Sequence, residues 1–571
     1  MMKKTILFIA LQLTFLSLTV CGNEIELPKP LNEKDLKLYT EIFSLQKDGK
    51  FKLADSLVDQ VESKVLLGRV KAQRYLHPTA YISTFSELKK WLEKYNDHPS
   101  ASRIFWLSKR KKPKSSKPAK KPSGGYLSGF GNADFVTLRP RIPASYAGRS
   151  APSLTRKIAY TIRKHIRRSW PSGALEVLNK NSSRKVLTDS EESQLHWEIA
   201  NAYFIFNKDY EAVREASKAL VLSSGQNDSA WLTAGLASWR RGDLKRARLF
   251  FSNLANLKTS KDSVRSQGAY WASRVEFNYN NIESAVKYLK IASKFPDTFY
   301  GKLSISVLGY NHNYNFETPK ISKNFILWLS NQKGGQRGFA LLQAKEYWHA
   351  DREFRKLYPV IPTHYHLELM SLASMHGMPS LSYRLADIQR VETGKKWYGA
   401  LYPELLFKNK NKLNNISLAM SIIRQESRFD QRGKSTARAQ GLMQILPSTA
   451  AFTMKNKNYR GKLKHDLLMP EENVKIGEKY ISHLMKEPLI NNDLIKLLAA
   501  YNGGPGNLNK WLKKVNFKND PLLLIETLPS RETRNYIKEV LKNLYVYNEK
   551  FDYNENEFEN LGSGKWIIQS R

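Results

Sequence analysis

The stretch NISLAMSIIRQESRFDQRGKSTARAQGLMQILPSTA, from Asn415 to Ala450, decides how the rest of this 571-residue chain is read. Its first half has the periodicity of a helix: Ile416, Ala419, Met420 and Ile423 recur at the spacing that lines one apolar face. Carried one step further, that spacing puts Glu426 on the buried side. A carboxylate that stands where an aliphatic residue is expected loses solvent, its pKa rises, and it keeps a proton near neutral pH. A general acid requires this. The sequence leaves a second reading open, a glutamate at a frayed helix end that faces water and pairs with Arg424 or Arg428.

After Glu426-Ser427 comes a polar, basic loop, then Gly441-Leu442-Met443-Gln444, then Pro447-Ser448-Thr449-Ala450, which has the form of a turn and a helix start. Further on, Leu497 to Gly506 reads as a helix that ends on Tyr501-Asn502, with glycines for the left-handed exit. Asp466-Leu467-Leu468 leads through Pro470-Glu471-Glu472-Asn473 toward Gly477 and Tyr480, with proline in the first turn and acids at the positive helix end. Glu526-Thr527-Leu528-Pro529 and Arg531-Glu532-Thr533-Arg534-Asn535-Tyr536 follow.

An acid on a helix end, a Gly-Leu-Met-Gln turn and a Tyr-Asn before glycines, in this order, resemble the catalytic domain of the lytic transglycosylases. The chain is similar in particular to the soluble periplasmic lytic murein transglycosylases, over roughly Tyr402 to Tyr547. The resemblance implies an all-α fold, with an α-superhelical helix-repeat region followed by a lysozyme-like catalytic domain. It implies cleavage of the bond between N-acetylmuramic acid and N-acetylglucosamine in peptidoglycan glycan strands, leaving 1,6-anhydromuramoyl ends. In that reading Glu426 is the single catalytic acid and base. Ser427, Met443, Gln444, Tyr501 and Asn502 bind substrate, and Arg438 and Glu526 are further candidates for doing so. Asp430, four residues after Glu426, is read as structural, and Glu532 as a structural partner of Arg534.

Thr436-Ala437-Arg438-Ala439 stands where the family commonly has Pro-x-Gly-Ala, which puts the loop over Glu426 in question. Leu446 replaces a frequent methionine and Ser530 a usual phenylalanine. Two other readings are a goose-type lysozyme-like hydrolase, which needs a second carboxylate beside the cleft, and a non-enzymatic envelope scaffold.

Outward from this module, residues 1–22 carry Lys3 and Lys4 and then an apolar run, the pattern of a secretory signal cut after Gly22. The implied location is the periplasm; Cys21 raises lipidation as the lesser alternative, since Val20 is larger than the residue that usually precedes a lipidated cysteine. Cys21 is also the only cysteine, so no disulfide framework is available. The net charge of +40, or +38 without the two signal lysines, favours polyanionic partners. Nucleic acid is not expected, because no recognition helix, zinc finger or RNP-like pattern is present.

Residues 23–108 read as an N-terminal helical segment. Residues 109–152 read as a loosely attached linker or insert, opening with KRKKPKSSKPAKK at 109–121, which could contact anionic envelope polymers. Residues 153–320 have repeat character: Trp197, Ala200 and Asp209 recur 34 residues later as Trp231, Ala234 and Asp243, the period of a helix-turn-helix repeat. The tryptophans are read as packing. Residues 321–400 would be a connecting helical domain and 401–571 the catalytic one. No cofactor is implied, His364, His366, His465 and His483 lack metal-ligand spacing, and a monomer is expected.

Overall fold

The computed structural model describes residues 26–130, 153–310, 312, 314–406, 415–553 and 557–568. The signal-peptide and Cys21 readings, and the later part of the 109–152 segment, lie outside these residues. Among the described residues the regular structure is helical, with isolated bridges such as Gln440 to Ile445 in place of a sheet. No helix among them is long and apolar enough to cross a membrane. The chain divides into two compact units, one of residues 1–127 and 319–372, the other of residues 128–318 and 373–571. The expected connecting domain at 321–400 is therefore split, its first part going with the N-terminal helices.

In the first unit, helices start where side chains can occupy orphan backbone donors. Thr84 and Glu87 form a reciprocal capping box on the Phe85–Tyr95 helix, and Asn32 caps Glu33–Lys47. Leu88, Trp91 and Leu92 face Ala101 and Ile104 of the next helix, Ala101–Lys111, in one buried cluster. The basic segment differs from the linker expected of it. Ala119 is buried in that same cluster, the Ser123 amide donates to Asn96 O at 3.0 Å, and the Leu127 amide donates to Arg355 O at 2.9 Å. Lys356 Nζ donates to the carbonyls of Gly124 and Gly125 at 3.2 and 3.1 Å. The prolines at 113, 118 and 122 end the helix at Lys111, but a short extended run can dock by backbone hydrogen bonds. Composition alone does not register that.

The second unit joins the repeat region to the C-terminal module. Successive antiparallel helices, Asp189–Ile205, Asp209–Leu222, Asp228–Arg241, Leu244–Asn256, Asp262–Asn278 and Ile282–Ser293, each pack on the next. Stacking of this kind produces a superhelical array, since no helix pair buries its apolar face alone. The repeated aspartates and asparagines work at the turns: Asp243 and Asn281 cap the helices that follow them. Asp209 instead receives Arg240 Nε at 2.9 Å from the next helix pair. Trp271 is wholly buried, while Trp197 and Trp231 are partly covered and donate their indole N–H groups to Thr233 and Gly225, so the stripe packs and staples.

Candidate active site

The site is built where the Ile416–Glu426 helix ends. Asn415 caps its start by accepting the Leu418 amide at 2.8 Å. Leu418, Ala419, Met420, Ile422 and Ile423 bury it against the long Arg531–Lys550 helix. Arg424 is committed to this packing: Nε donates to Leu401 O at 3.0 Å, a second nitrogen reaches the Asn543 side chain, and the guanidinium lies 4.2 Å from the Tyr402 ring centroid. The chain then leaves the helix sharply, with Arg428 and Phe429 both in the left-handed region at φ 51° and 65°. Phe429 is buried, and its packing pins the exit so that Glu426 stays at the helix end, only partly open to solvent.

Loss of solvent pushes the Glu426 carboxyl up to about 8, and the negative charge of Glu532 pushes the same way. The Tyr536 hydroxyl opposes them; it has no close partner elsewhere among the described residues and is placed to donate to this carboxyl. Among the described residues no cation acts on Glu426, and the water-facing, arginine-paired reading does not describe it. Glu532, expected to serve Arg534, is exposed and bears on Glu426 instead, while Arg534 donates to Leu528 O. Neither Glu532 nor Tyr536 carried a local signal for this. Both lie more than a hundred residues from Glu426 and reach it only because the two helices pack.

Of the other expected residues, Tyr501 lies beside the carboxyl, and the rest are defined by the hydrogen bonds they make. Tyr501 lies close enough to Glu426 for that charge to raise its own pKa further, after burial. Its hydroxyl donates to Met443 O at 2.9 Å and its ring stands between Tyr480 and Tyr536, at 5.7 and 6.5 Å. Asn502 accepts from Thr533 Oγ1 at 2.7 Å, which fixes the amide and leaves Nδ2 without a partner among the described residues. Gln444, at φ 47°, donates Nε2 to Gly441 O at 2.8 Å, leaving Oε1 similarly free. Ser427 donates to Ile423 O at 3.2 Å. Asp430 accepts the Arg432 amide at 3.0 Å and closes the loop.

Two expectations need correction. Met443 does not line a cleft with its side chain, which is fully buried against Gly477, where a Cβ would stand 2.2 Å from its sulfur. Its backbone is the useful part: the amide donates to Asn473 Oδ1 at 2.8 Å while the carbonyl holds Tyr501. Glu526 is buried too, accepting from Tyr300 Oη at 2.6 Å and Lys538 Nζ at 3.1 Å, so it is a structural anion with no face for substrate. Arg438 is exposed at φ 69°, the left-handed conformation that a glycine favours, so the loop keeps its turn although the glycine is gone. Among the described residues no cluster of His, Cys, Asp and Glu could hold a metal ion.

An α-superhelical array followed by a lysozyme-like module, with one desolvated carboxyl at a helix end, defines the class. Residues 405–523 match the family model of the transglycosylase SLT domain. The chain is 37% identical over 165 residues to a soluble lytic murein transglycosylase of Salmonella typhimurium, covering 27% of this chain and 25% of that one. It is 40% identical over 126 residues to that of Escherichia coli, covering 22% and 19%. These alignments thus span about a quarter or less of the relatives' length. The fold resembles the inactive mutant of lytic transglycosylase Slt from Pseudomonas aeruginosa, with a TM-score of 0.55 at 18% identity over 95% of this chain and 90% of that one. The 70-kDa soluble lytic transglycosylase of Escherichia coli gives 0.50 at 16% identity over 94% and 99%.

Proposed function

We propose that this chain is a lytic transglycosylase that cuts peptidoglycan glycan strands between N-acetylmuramic acid and N-acetylglucosamine. The observation that carries the reading is the Glu426 carboxyl, held protonated by burial within the stretch that matches the SLT domain. In the first step Glu426 gives its proton to the glycosidic oxygen as the bond from that oxygen to muramoyl C1 breaks. The carboxylate then takes the proton of the muramoyl C6 hydroxyl while that oxygen closes on C1. Water is neither consumed nor needed, and the acid is regenerated. Ring closure starts with the advantage of an intramolecular nucleophile.

In this reading Tyr536 steadies the carboxylate formed between the two steps, which otherwise would be poorly solvated. Tyr501, clamped to the Met443 carbonyl, walls the sugar, and the unused Asn502 Nδ2 and Gln444 Oε1 offer one donor and one acceptor to it. Ser427 follows the acid directly, and Arg438, exposed on its loop, is the cation this reading assigns to a substrate carboxylate. The surplus of basic residues, 92 against 52 acidic ones, draws the chain to an anionic envelope polymer, and an envelope location outside the cytoplasmic membrane follows from the substrate.

Digestion of purified sacculi tests this. Wild-type protein should release muropeptides ending in 1,6-anhydromuramic acid, lighter by one water than hydrolysis products, and Glu426→Gln should release none while remaining folded. Glu532, acting on Glu426 from across the site, is the feature that favours a hydrolase as second reading. Reducing muramoyl ends in the same spectrum would establish that reading in place of the first.

A further inference from the structure

The first unit contains a pocket of about 260 Å³ that the proposed chemistry does not use. It lies between the segment around Tyr75 to Ser83 and the Ala101–Lys111 helix, far along the chain from Glu426. Its walls combine three kinds of group. Trp106 and Ile82, 58% and 84% exposed, offer apolar surface at the pocket wall. Arg103 and Lys111 supply positive charge, and no acid is among the lining residues. Ser83 also lines the pocket; its hydroxyl is buried and has no hydrogen-bond partner among the described residues. Lys111 Nζ donates to the Ser83 carbonyl, so one cation is fixed at the wall. Arg110 adds to the field from the rim, its guanidinium 4.8 Å from the Trp106 ring centroid.

We infer that this pocket binds a carboxylate-bearing saccharide. An indole face covers the apolar face of a sugar ring, a lone buried hydroxyl satisfies a ring hydroxyl, and two lining cations with no acid among them take a carboxylate. A flat hydrocarbon would leave the Ser83 hydroxyl unsatisfied, and a bare phosphate would leave Trp106 and Ile82 in water. A glycan strand carrying peptide carboxylates meets all three demands, so the pocket is a second holding point for the polymer. That identity, though not the ligand chemistry, rests on the function proposed above.

The test uses the full-length chain with Glu426→Gln, so that bound polymer is not cut, and two probes: intact sacculi in a pelleting assay and soluble disaccharide-peptides by calorimetry. Trp106→Ala and Arg103→Gln, placed separately in that background, should each weaken sacculus binding by about fivefold or more. In chains that keep Glu426, neither should change turnover of short soluble glycan. Unchanged affinity in both variants overturns the inference. So does equal binding of uncharged chito-oligosaccharide, which would mean that no carboxylate is read, or an equal loss on DNA or anionic vesicles, which would mean a general polyanion patch. Because binding is read without turnover, a chain that makes no anhydro product yet loses sacculi on Trp106→Ala keeps the pocket and discards the transglycosylase reading.

Discussion

Replacing Glu426 by glutamine should stabilise the protein, and by an amount that depends on pH. The carboxyl titrates at an ordinary 4.5 in the unfolded chain and at about 8 in the folded one. Between those values the folded state binds the extra proton, so stability falls as pH rises from 4.5 to about 8. At about 1.36 kcal/mol per tenfold change in proton affinity, the full displacement sets a ceiling of about 5 kcal/mol. Glu426 keeps some access to water, which screens the effect, and about 2–4 kcal/mol is the expected loss. Glutamine has nearly the same shape and never ionises. Thermal unfolding of wild type and Glu426→Gln should therefore coincide near pH 4.5 and separate progressively toward pH 8, with the variant melting higher. A variant that melts lower at pH 8, or an offset that is the same at every pH, would refute a desolvated acid. It would point instead to an ion-paired or simply packed side chain.

Turnover should fall as pH passes about 8, when the acid loses its proton, and Glu532→Gln should move that limb of the rate profile to lower pH by removing a repelling charge while leaving the plateau within a few fold. Arg438→Gly should raise stability by about 1 kcal/mol, because a left-handed residue with a Cβ is strained, and a denaturant titration reads it directly. Lys302 is buried beneath the rings of Tyr314 and Tyr545, 4.8 and 5.1 Å from their centroids, and burial brings its pKa down to about 7. Folded protein then lacks a proton that the unfolded chain holds, so stability drops as pH falls from 10.5 to about 7. Lys302→Met should flatten that slope in unfolding curves taken across the same range.

The burial of Glu426 at a helix end is legible in the sequence because this residue obeys a local rule. Glu426 occupies the next turn of an apolar stripe, and a stripe is visible one residue at a time. The Tyr501-Asn502 helix end, with glycines after it, is legible for the same reason. What tunes the acid was not. Glu532 looks like an ordinary first-turn glutamate, and its bearing on Glu426 exists only after the Ile416–Glu426 helix lies against Arg531–Lys550. Met443 and Glu526 mislead in the opposite sense. A turn residue and a helix-end acid beside site motifs resemble contacts, and only burial shows Met443 working through its backbone and Glu526 through Tyr300 and Lys538.

The Glu526 carboxylate has a consequence for anyone who wishes to divide the chain. Burial works against its charge, yet Lys538, Tyr300 and Arg534 hold it below the ordinary carboxylate range. Tyr300 belongs to the Phe299–Val307 helix and in turn accepts the indole proton of Trp271, so one side of this electrostatic joint is supplied by the repeat array. A fragment beginning near residue 401 would leave behind the hydroxyl that sates this anion. Transplanting the lysozyme-like module onto another carrier therefore means moving the Phe299–Val307 helix with it, because a neutral residue at 526 would strand the Lys538 and Arg534 cations instead.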